Sequence, residues 1–285
     1  MQQSPFVNID GKLLKENKVS ISPNNRSFRY GDGFFETMKM IQGKIMAESY
    51  HEQRFSATLQ QLQFDCPSYF NFQYLKKLIE ELAYKNQHNA LARIRLTIFR
   101  GNGGLYDPDN LVPHFLIQTW LLNPANNTLN NNGLVIDIYK DALKSCDRFA
   151  NLKTNNYLGY AMAALWAKQQ HLNDALLLNS NDQIADSTIA NLFIVKNNHL
   201  YTPALTEGPV RGTTRQFLID YCRQNNIPVT ENALSINDLL NADEVFLTNA
   251  IYGIKWVKMV GNQLFLQHQF AKELHHYALK PLWQL

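Results

Sequence analysis

The 285-residue sequence has few cysteines, no long apolar run and no block of like charge. Its cysteines, Cys66, Cys146 and Cys222, lie far apart and form no C-x-x-C pair, which argues against a disulfide framework or a zinc site and fits a reducing compartment. No stretch approaches the roughly 18 apolar residues of a membrane-spanning helix. The start, MQQSPFVNIDGKLL, has no basic segment followed by an apolar one. The sequence therefore predicts a cytoplasmic protein that does not enter a membrane.

Several common functional motifs are also missing. The segment RGNGGLY (100–106) does not have the G-x-G-x-x-G spacing of dinucleotide sites, and YGDGFFET (30–37) is not a P-loop. The eight histidines form no H-E-x-x-H, and there is no G-x-S-x-G elbow of a serine hydrolase. The net charge of +3 comes from interspersed acidic and basic residues, which argues against nucleic acid as a partner. We therefore expect no metal, nucleotide or polyanion site.

The composition is that of a folded globular protein. Hydrophobic residues make up 45% of the chain, charged residues 18% and aromatic residues 12%, which is enough apolar material to build a core. A chain of this length usually forms two domains. A single domain is the alternative.

Residues 1–122 are predicted to form an α+β domain. Apolar and polar residues alternate over residues 5–50 around the turn pairs Asp10-Gly11 and Gln42-Gly43, a pattern typical of antiparallel hairpins. The elements predicted after this sheet are helices over 48–64 and 69–85 and strands over 91–99 and 114–122.

A second mixed domain is predicted over residues 133–285. The segment 123–132, NPANNTLNNN, contains six asparagines and a proline, which is the composition of a linker. The elements predicted beyond it are a strand at 133–140, a helix near 155–170, strands in 175–179 and 191–202, a helix from Thr213 and a strand at 244–250.

Lys153 is a candidate for covalent chemistry. It stands in NLKTNNYLGYAMAALWAKQQ, just before a predicted amphipathic helix and among mostly neutral residues. A lysine that forms an imine must lose its proton, and apolar surroundings or a nearby cation favour that loss. Most lysines are solvated surface residues, so the position alone leaves both interpretations open.

Three other segments could bind a small anion or a cation. Gly212, Thr213 and Thr214 stand at a predicted helix start, where backbone N–H groups and hydroxyls can hold a phosphate, although a plain helix cap would use the same residues. Arg54 lies three residues after His51 on one helix face and could pair with a phosphate oxygen, or be an ordinary surface arginine. Asp186 is predicted to lie between two strands, where its carboxylate could enter a site or serve a turn.

Taken in order along the chain, these pieces resemble the class IV aminotransferases, which are fold-type IV enzymes. The motifs that carry the resemblance are YGDGFFET (30–37), HEQR (51–54), RGNGG (100–104), Lys153 with its following helix, DSTIANLF (186–193), TPAL with GTTR (202–215) and DEVFLTNA (243–250). The resemblance implies two domains, each with a mixed sheet and flanking helices, as in D-amino acid aminotransferases. It also implies pyridoxal 5'-phosphate as cofactor and a homodimer.

The resemblance assigns roles to individual residues. Lys153 would hold the cofactor as an imine and act in catalysis, and Glu36 would be an acidic residue near the substrate. Asp186 would pair with the pyridine nitrogen, although the family usually has glutamate there. The remaining cofactor-binding residues would be Arg54, Thr213 and Thr214 at the phosphate with Thr248 or Asn249 nearby, Val210 on a ring face, and Asn156 and Tyr157 beside the lysine.

Within the family the sequence leaves the reaction open. Glu36 and the segment KTNNY (153–157) are closer to branched-chain aminotransferases, which transfer an amino group from a hydrophobic amino acid to a 2-oxo acid, although some lyases also carry FET at the place of Glu36. The motifs RGNGGLY, TPAL, GTTRQF and Asn249-Ala250 are closer to aminodeoxychorismate lyase, which forms 4-aminobenzoate and pyruvate. A D-amino acid aminotransferase is disfavoured because GGLYD lacks that group's carboxylate-binding arginine and histidine. A catalytically inactive homologue with a binding role is a third alternative.

Overall fold

A computed structural model describes residues 6–106 and 111–283. Within them the chain divides into two compact units. Unit 1 is the described part of Met1–Pro124 together with Lys153–Asn156, and unit 2 comprises Ala125–Leu152 and the described part of Tyr157–Gln284. The segment Lys153–Asn156 thus belongs to unit 1, whereas the chain on both sides of it belongs to unit 2.

Unit 1 contains an antiparallel sheet of six strands. The strands are β1 (Phe6–Ile9), β2 (Lys12–Lys15), β3 (Gly33–Ile41), β4 (Lys44–Ile45), β5 (Leu91–Phe99) and β6 (His114–Leu121), in the order β2-β1-β6-β5-β3-β4. The helices are α1 (Arg26–Tyr30), α2 (Glu48–Gln61) and α3 (Phe72–Lys85), with a 3₁₀ turn at Glu16–Lys18. Both predicted turn pairs form hairpins, because Asp10-Gly11 and Gln42-Gly43 adopt the positive φ angles that such tight turns require.

The core of unit 1 lies on one face of this sheet. Alternate residues of β5, from Ala92 to Ile98, pack with Met38 and Met40 of β3 against the buried faces of α2 and α3. The prediction of sheet throughout residues 5–50 is wrong at α1. There the side chain of Asn25 accepts a hydrogen bond from the N–H of Phe28, and the helix ends at Gly31 with φ of 68°, so local capping competes with strand pairing.

Unit 2 contains a mixed sheet of nine strands. They are β7 (Leu134–Lys144), β8 (Asp174–Asn179), β9 (Ile184–Ser187), β10 (Asn191–Lys196), β11 (His199–Pro203), β12 (Val229–Asn232), β13 (Glu244–Asn249), β14 (Gly253–Val260) and β15 (Gln263–Leu264). The order is β12-β11-β10-β13-β14-β7-β8-β9, with β15 paired to β14. The pairs β11–β12, β14–β7 and β7–β8 are parallel, and the others are antiparallel.

Five helices flank this sheet. They are α4 (Leu158–Gln169), α5 (Thr213–Gln224), α6 (Ile236–Leu240), α7 (Gln269–Leu274) and α8 (Lys280–Trp283), with a π-helical turn at His275–Leu279 joining the last two and 3₁₀ turns at Pro124–Asn127 and Leu205–Glu207. Helix α5 begins at Thr213 as predicted, whereas α4 begins three residues later than predicted. Among residues 6–106 and 111–283, none of the helices has the length and apolar character needed to cross a membrane.

The asparagine-rich segment is tied to unit 2 by specific hydrogen bonds. The side chain of Asn130 accepts from the N–H of Trp256 at 3.0 Å and donates to its carbonyl at 2.9 Å. The indole N–H of Trp256 donates in turn to the carbonyl of Asn130. Asn130 therefore extends the backbone pairing of β14 without being part of a strand.

Candidate active site

Lys153 lies in an extended segment that pairs with the start of β3. The N–H of Phe35 donates to the carbonyl of Lys153, and the N–H of Asn155 donates to the carbonyl of Gly33, both at 2.9 Å. Only glycine fits at position 33, because a Cβ there would lie 2.2 Å from the carbonyl oxygen of Ile98. This pairing explains why α4 does not begin at Asn155, and it fixes the backbone of Lys153 beside Phe35.

Two cationic side chains lie against the ring of Phe35. The Nζ atom of Lys153 is 4.7 Å from the ring centroid, and the Cζ atom of Arg95 is 3.8 Å from it. Phe35 itself is 5% exposed. The sequence indicated Lys153 but not Arg95, whose contact depends on the pairing of β5 with β3.

Glu36, His51 and Arg54, here called the carboxylate cluster, form a buried network in unit 1. Nδ1 of His51 and Oε2 of Glu36 are 2.7 Å apart. Arg54 donates from Nε to Oε1 of Glu36 at 2.7 Å and from Nη2 to Oε2 at 2.5 Å. The helical spacing of His51 and Arg54 predicted their shared face, and the structure shows that both bind Glu36, three residues after Gly33 on β3.

The charges in the carboxylate cluster follow from its burial and contacts. Burial raises the pKa of Glu36, but the charge of Arg54 and the hydrogen bonds from His51 and Arg54 outweigh it and lower the pKa to about 2. Burial lowers the pKa of His51, and the charges of Arg54 and Lys153 lower it further, against the opposing effect of Glu36. At neutral pH Glu36 is therefore ionised and His51 neutral, so Nδ1–H of His51 donates to the carboxylate.

Asp186 is a buried carboxylate with two donors in unit 2. Both of its oxygens accept from the hydroxyl of Tyr160 at 3.0 Å, and Oδ2 also accepts from the N–H of Val210 at 2.9 Å. The prediction that Asp186 lies between strands is wrong, because it is part of β9, which pairs with β8. The bonds from Tyr160 and Val210 fix the direction of the carboxylate.

Tyr160, which the sequence analysis did not single out, is held on α4. Burial and the charge of Asp186 raise its pKa well above the ordinary value, so the hydroxyl keeps its proton and donates. The ring of Tyr157, the residue that precedes α4, stacks on the ring of Tyr160 with centroids 4.2 Å apart. A tyrosine seven residues after Lys153, on the inner face of a predicted helix, was the available signal.

The N-terminus of α5 lies close to this carboxylate through Val210 and Asn191. The carbonyl of Val210 accepts from the side-chain amide of Asn191 at 2.8 Å. Gly212 occupies the N-cap, no side chain among the described residues caps the helix, and a Cβ on Gly212 would lie 1.9 Å from Oδ1 of Asn191. The next residues, Thr213 and Thr214, are buried. The backbone N–H groups of the first turn are therefore not satisfied by a capping side chain.

Thr248 adds a buried hydroxyl to the same part of unit 2. It is 1% exposed, stands opposite Asn191 in the pairing of β13 with β10, and its Oγ1 has no hydrogen-bond partner among the described residues. The side chain of Asn249 accepts from the N–H groups of Ile251 and Tyr252 and so closes the turn after β13. The orphaned hydroxyl is an unusual feature, because buried polar groups are normally paired.

These features define a surface that we call the α5 wall. It consists of Asp186, Asn191, Val210, Thr248 and the first turn of α5 from Gly212. One part of the wall offers a fixed carboxylate, and another offers the positive end of a helix dipole, where no side chain of the described residues caps the helix, together with the unpaired hydroxyl of Thr248. Such a wall suits a molecule with a protonated nitrogen on one side and a phosphate on the other.

The comparisons with known proteins identify the family. The model of the family described as amino-transferase class IV matches residues 33–260. The chain belongs to this family. Among curated relatives, a D-alanine aminotransferase of Listeria innocua is 27% identical over 85% of the chain and 83% of its own length. An aminodeoxychorismate lyase of Bacillus subtilis is 27% identical over 87% of the chain and 84% of its own length.

Solved structures show the same fold. The branched-chain aminotransferase of the archaeon Thermoproteus uzoniensis, crystallised with norvaline, is 20% identical, with a TM-score of 0.88 over 98% of this chain and 95% of that one. A second branched-chain aminotransferase of similar fold was crystallised with pyridoxamine 5'-phosphate. The predicted family and fold-type IV architecture are therefore confirmed, and with the family the prediction of an enzyme that uses pyridoxal phosphate. These relatives carry three different activities in their names, so the family alone does not assign a substrate.

Proposed function

We propose that the chain is an aminotransferase that uses pyridoxal 5'-phosphate to move an amino group from a hydrophobic amino acid to a 2-oxo acid. The observation that carries the proposal is the α5 wall, where the carboxylate of Asp186 is fixed by Tyr160 and Val210 next to an uncapped helix N-terminus. An amino-acid aminotransferase needs both features, because its cofactor has a basic ring nitrogen and a phosphate.

The described residues fit this cofactor. The N–H groups and hydroxyls of Thr213 and Thr214 would hold the phosphate, and the orphaned hydroxyl of Thr248 would gain a partner there. Val210 would contact one face of the ring. Arg54 remains a predicted phosphate ligand, although two of its guanidinium nitrogens already bind Glu36. When bound, the cofactor supplies an electron-accepting ring that stabilises negative charge at the substrate Cα.

Asp186 would hold a proton on the ring nitrogen. Its donors, the hydroxyl of Tyr160 and the N–H of Val210, hold the carboxylate in a fixed orientation. An anion at this place favours the protonated nitrogen, which makes the ring a better electron acceptor. Aspartate is one methylene shorter than the family's usual glutamate, and we propose that it serves the same role.

Lys153 would supply the amine that binds the cofactor and then moves a proton from the substrate Cα. Its backbone is fixed by pairing with Phe35, so the Nζ atom works from a defined position. The guanidinium of Arg95 on the same ring places a second positive charge in its surroundings. Glu36 would act near the substrate through the carboxylate cluster, with Tyr157 beside the lysine and Asn249 near the phosphate.

The second candidate is aminodeoxychorismate lyase. It is favoured by RGNGGLY, GTTRQF and Asn249-Ala250, and by the relative from Bacillus subtilis. Lys153 and Asp186 would have the same roles in both reactions. The reactions diverge after proton removal. The lyase expels pyruvate and leaves the amino group on its product, 4-aminobenzoate. The aminotransferase keeps the amino group and releases the 2-oxo acid that corresponds to its amino-acid substrate.

Substrate assays separate the candidates. The full chain is supplied with pyridoxal phosphate and then, in separate reactions, with leucine plus 2-oxoglutarate, D-alanine plus 2-oxoglutarate, and 4-amino-4-deoxychorismate. We expect glutamate from the first reaction. Pyruvate with 4-aminobenzoate from the third would establish the lyase instead, and failure to bind the cofactor would support the inactive homologue.

We also propose a homodimer, as the family resemblance implies. Light scattering at micromolar concentration should give twice the chain mass of 32.9 kDa. A single-chain mass under these conditions would contradict the proposal.

A further inference from the structure

Arg215, the third residue of α5, is a buried cation whose hydrogen bonds are incomplete. Its side chain is 0% exposed. Nη2 donates to the carbonyl of Pro203 and to Oε2 of Glu231, both at 2.8 Å. Within the part of the chain that the structure describes, Nε and Nη1 have no partner. Arg215 therefore keeps a full positive charge in a site where two of its three nitrogens are unsatisfied.

The counter-charge of Arg215 is shared. Glu231 on β12 also accepts from Nη2 of Arg223 at 3.1 Å, so one carboxylate serves two guanidinium groups. The positive charge of Arg211 also acts on Arg215. The group Arg211, Arg215, Arg223 and Glu231 consequently has an excess of positive charge. A buried cation that is incompletely paired lowers stability, and this cost suggests a use beyond packing.

Within this group, Arg215 belongs to the first turn of α5, whereas Arg223 lies in its last turn. Arg215 follows directly after Thr213 and Thr214, and its Cβ is 3.4 Å from where a Cβ on Gly212 would stand. The N-terminal turn of a helix carries a partial positive charge of roughly half a unit. The buried guanidinium that this first-turn residue carries has the same sign and is screened little by solvent, so it adds to the potential of the turn.

We propose that Arg215 is a positioning residue for the phosphate of the cofactor, acting through the first turn of α5 and not by direct contact. Its charge strengthens the attraction of this turn for an anion, and its bonds to Pro203 and Glu231 hold the turn against β11 and β12. The proposal rests on the proposed function, in which Thr213 and Thr214 bind the phosphate.

The alternative is that Arg215 only holds α5 against the sheet. The variant Glu231→Gln distinguishes the two roles, because they predict opposite changes in phosphate affinity. The substitution removes the negative charge that offsets Arg215 but keeps an oxygen that can accept its N–H. If Arg215 acts by charge, phosphate should bind about threefold to tenfold more tightly. If Arg215 is only a clamp, the weaker hydrogen bond should leave phosphate affinity unchanged or reduced.

The experiment measures binding of inorganic phosphate to the full chain after removal of bound cofactor, by the rise in melting temperature and by calorimetric titration. Asp220→Asn is the matched control, because it also removes one negative charge, here from α5 itself at a carboxylate that accepts from the side chain of Gln216, whereas Glu231 lies on β12. We expect a smaller change for this control. The gain in Glu231→Gln should shrink as salt is raised.

Arg215→Gln and Arg215→Lys complete the series. The first should bind phosphate about tenfold more weakly, and the second, which keeps the charge, should recover most of the affinity. If Arg215→Gln does not fold, Glu231→Gln still decides the matter. An unchanged or weaker affinity in Glu231→Gln overturns the role of Arg215 alone, whereas failure of the unmodified chain to bind both phosphate and pyridoxal phosphate overturns the proposed function as well.

Discussion

The carboxylate cluster in unit 1 and the α5 wall in unit 2 are both buried and polar, but they differ in how their hydrogen-bonding groups are used. In the carboxylate cluster, both oxygens of Glu36 accept charge-assisted bonds from His51 and Arg54. In the α5 wall, the hydroxyl of Thr248 has no partner among the described residues and no side chain caps the helix. The first arrangement satisfies its own charges, and the second is prepared to receive an anion.

This difference predicts which substitutions should mainly lower stability and which should mainly lower ligand affinity. Removing a member of the carboxylate cluster should lower stability, because a buried charge loses its partner. Removing the orphaned hydroxyl of Thr248 from the α5 wall should lower ligand affinity with little effect on stability, because this hydroxyl has no partner to lose among the described residues. Variants of both regions test this distinction.

The largest effect is expected for Lys153→Ala. Loss of the amine should lower turnover by at least about 10³-fold, because positioned proton transfer alone contributes this much. Initial-rate assays with pyridoxal phosphate and the best substrate pair measure the effect. The control Lys168→Ala removes an exposed lysine in the last turn of α4 and should retain full activity. Turnover in Lys153→Ala close to that of the unmodified chain would rule out its role.

The carboxylate cluster should show its largest effect in stability. Glu36→Gln leaves Arg54, which is 8% exposed, without its counter-charge and should lower the free energy of unfolding by about 3 kcal/mol at pH 7. Urea unfolding measures the change. Glu81→Gln, at an exposed position of α3, should have little effect.

The same cluster has a defined pH dependence. Because the pKa of Glu36 falls from 4.5 to about 2 in the folded chain, its stabilisation is fully present above pH 4.5 and is lost as the pH falls towards 2. The stability difference between the unmodified chain and Glu36→Gln should therefore shrink over this range. A difference that stays constant with pH would contradict the assigned ion pairs.

Asp186→Asn should reduce kcat by about 100-fold, because a neutral amide no longer favours a protonated ring nitrogen. The amide oxygen can still accept from Tyr160 and Val210, so the fold should persist, as checked by circular dichroism. Asp182→Asn is the control, at an exposed turn with φ of 56° that asparagine tolerates. Equal kcat in Asp186→Asn and the unmodified chain would remove Asp186 from the mechanism.

Thr248→Val gives the smallest expected effect. Pyridoxal phosphate should bind about tenfold more weakly, as for loss of one hydrogen bond to a charged group, while the melting temperature of the cofactor-free chain stays within about 2 °C. Thr202→Val is the counterpart, because the hydroxyl of Thr202 donates to the carbonyl of Leu192 at 2.7 Å. That variant should lose stability and keep its affinity. A loss of stability in Thr248→Val, or a loss of affinity in Thr202→Val, would contradict the distinction between unpaired and paired polar groups.

The sequence predicted those elements that are specified by residues close together in the chain. The alternation in 91–99 predicted β5 with its observed bounds, and the residues at 212–214 predicted the start of α5. The pairing of Lys153 with Phe35 joins residues more than 100 positions apart, and the bond from Tyr160 to Asp186 spans 26 positions. Such contacts depend on how distant strands and helices pack, so neither periodicity nor capping signals reveal them.

In the carboxylate cluster, the sequence predicted which residues share a helix face but not which hydrogen bonds they form. Helical spacing predicted that His51 and Arg54 share a face, and the family resemblance assigned a role to Glu36. That Arg54 uses two nitrogens to bind Glu36 is determined only by the packing of α2 on β3. The role of Arg54 at the phosphate therefore stays a prediction.

Borohydride reduction gives direct evidence on whether Lys153 forms the proposed imine with the cofactor. The full chain with bound pyridoxal phosphate is reduced, digested and analysed by peptide mass spectrometry. We expect a phosphopyridoxyl group on the peptide containing Lys153 and none on the peptide containing Lys168. A modification at another lysine in place of Lys153, or no modification, would contradict it.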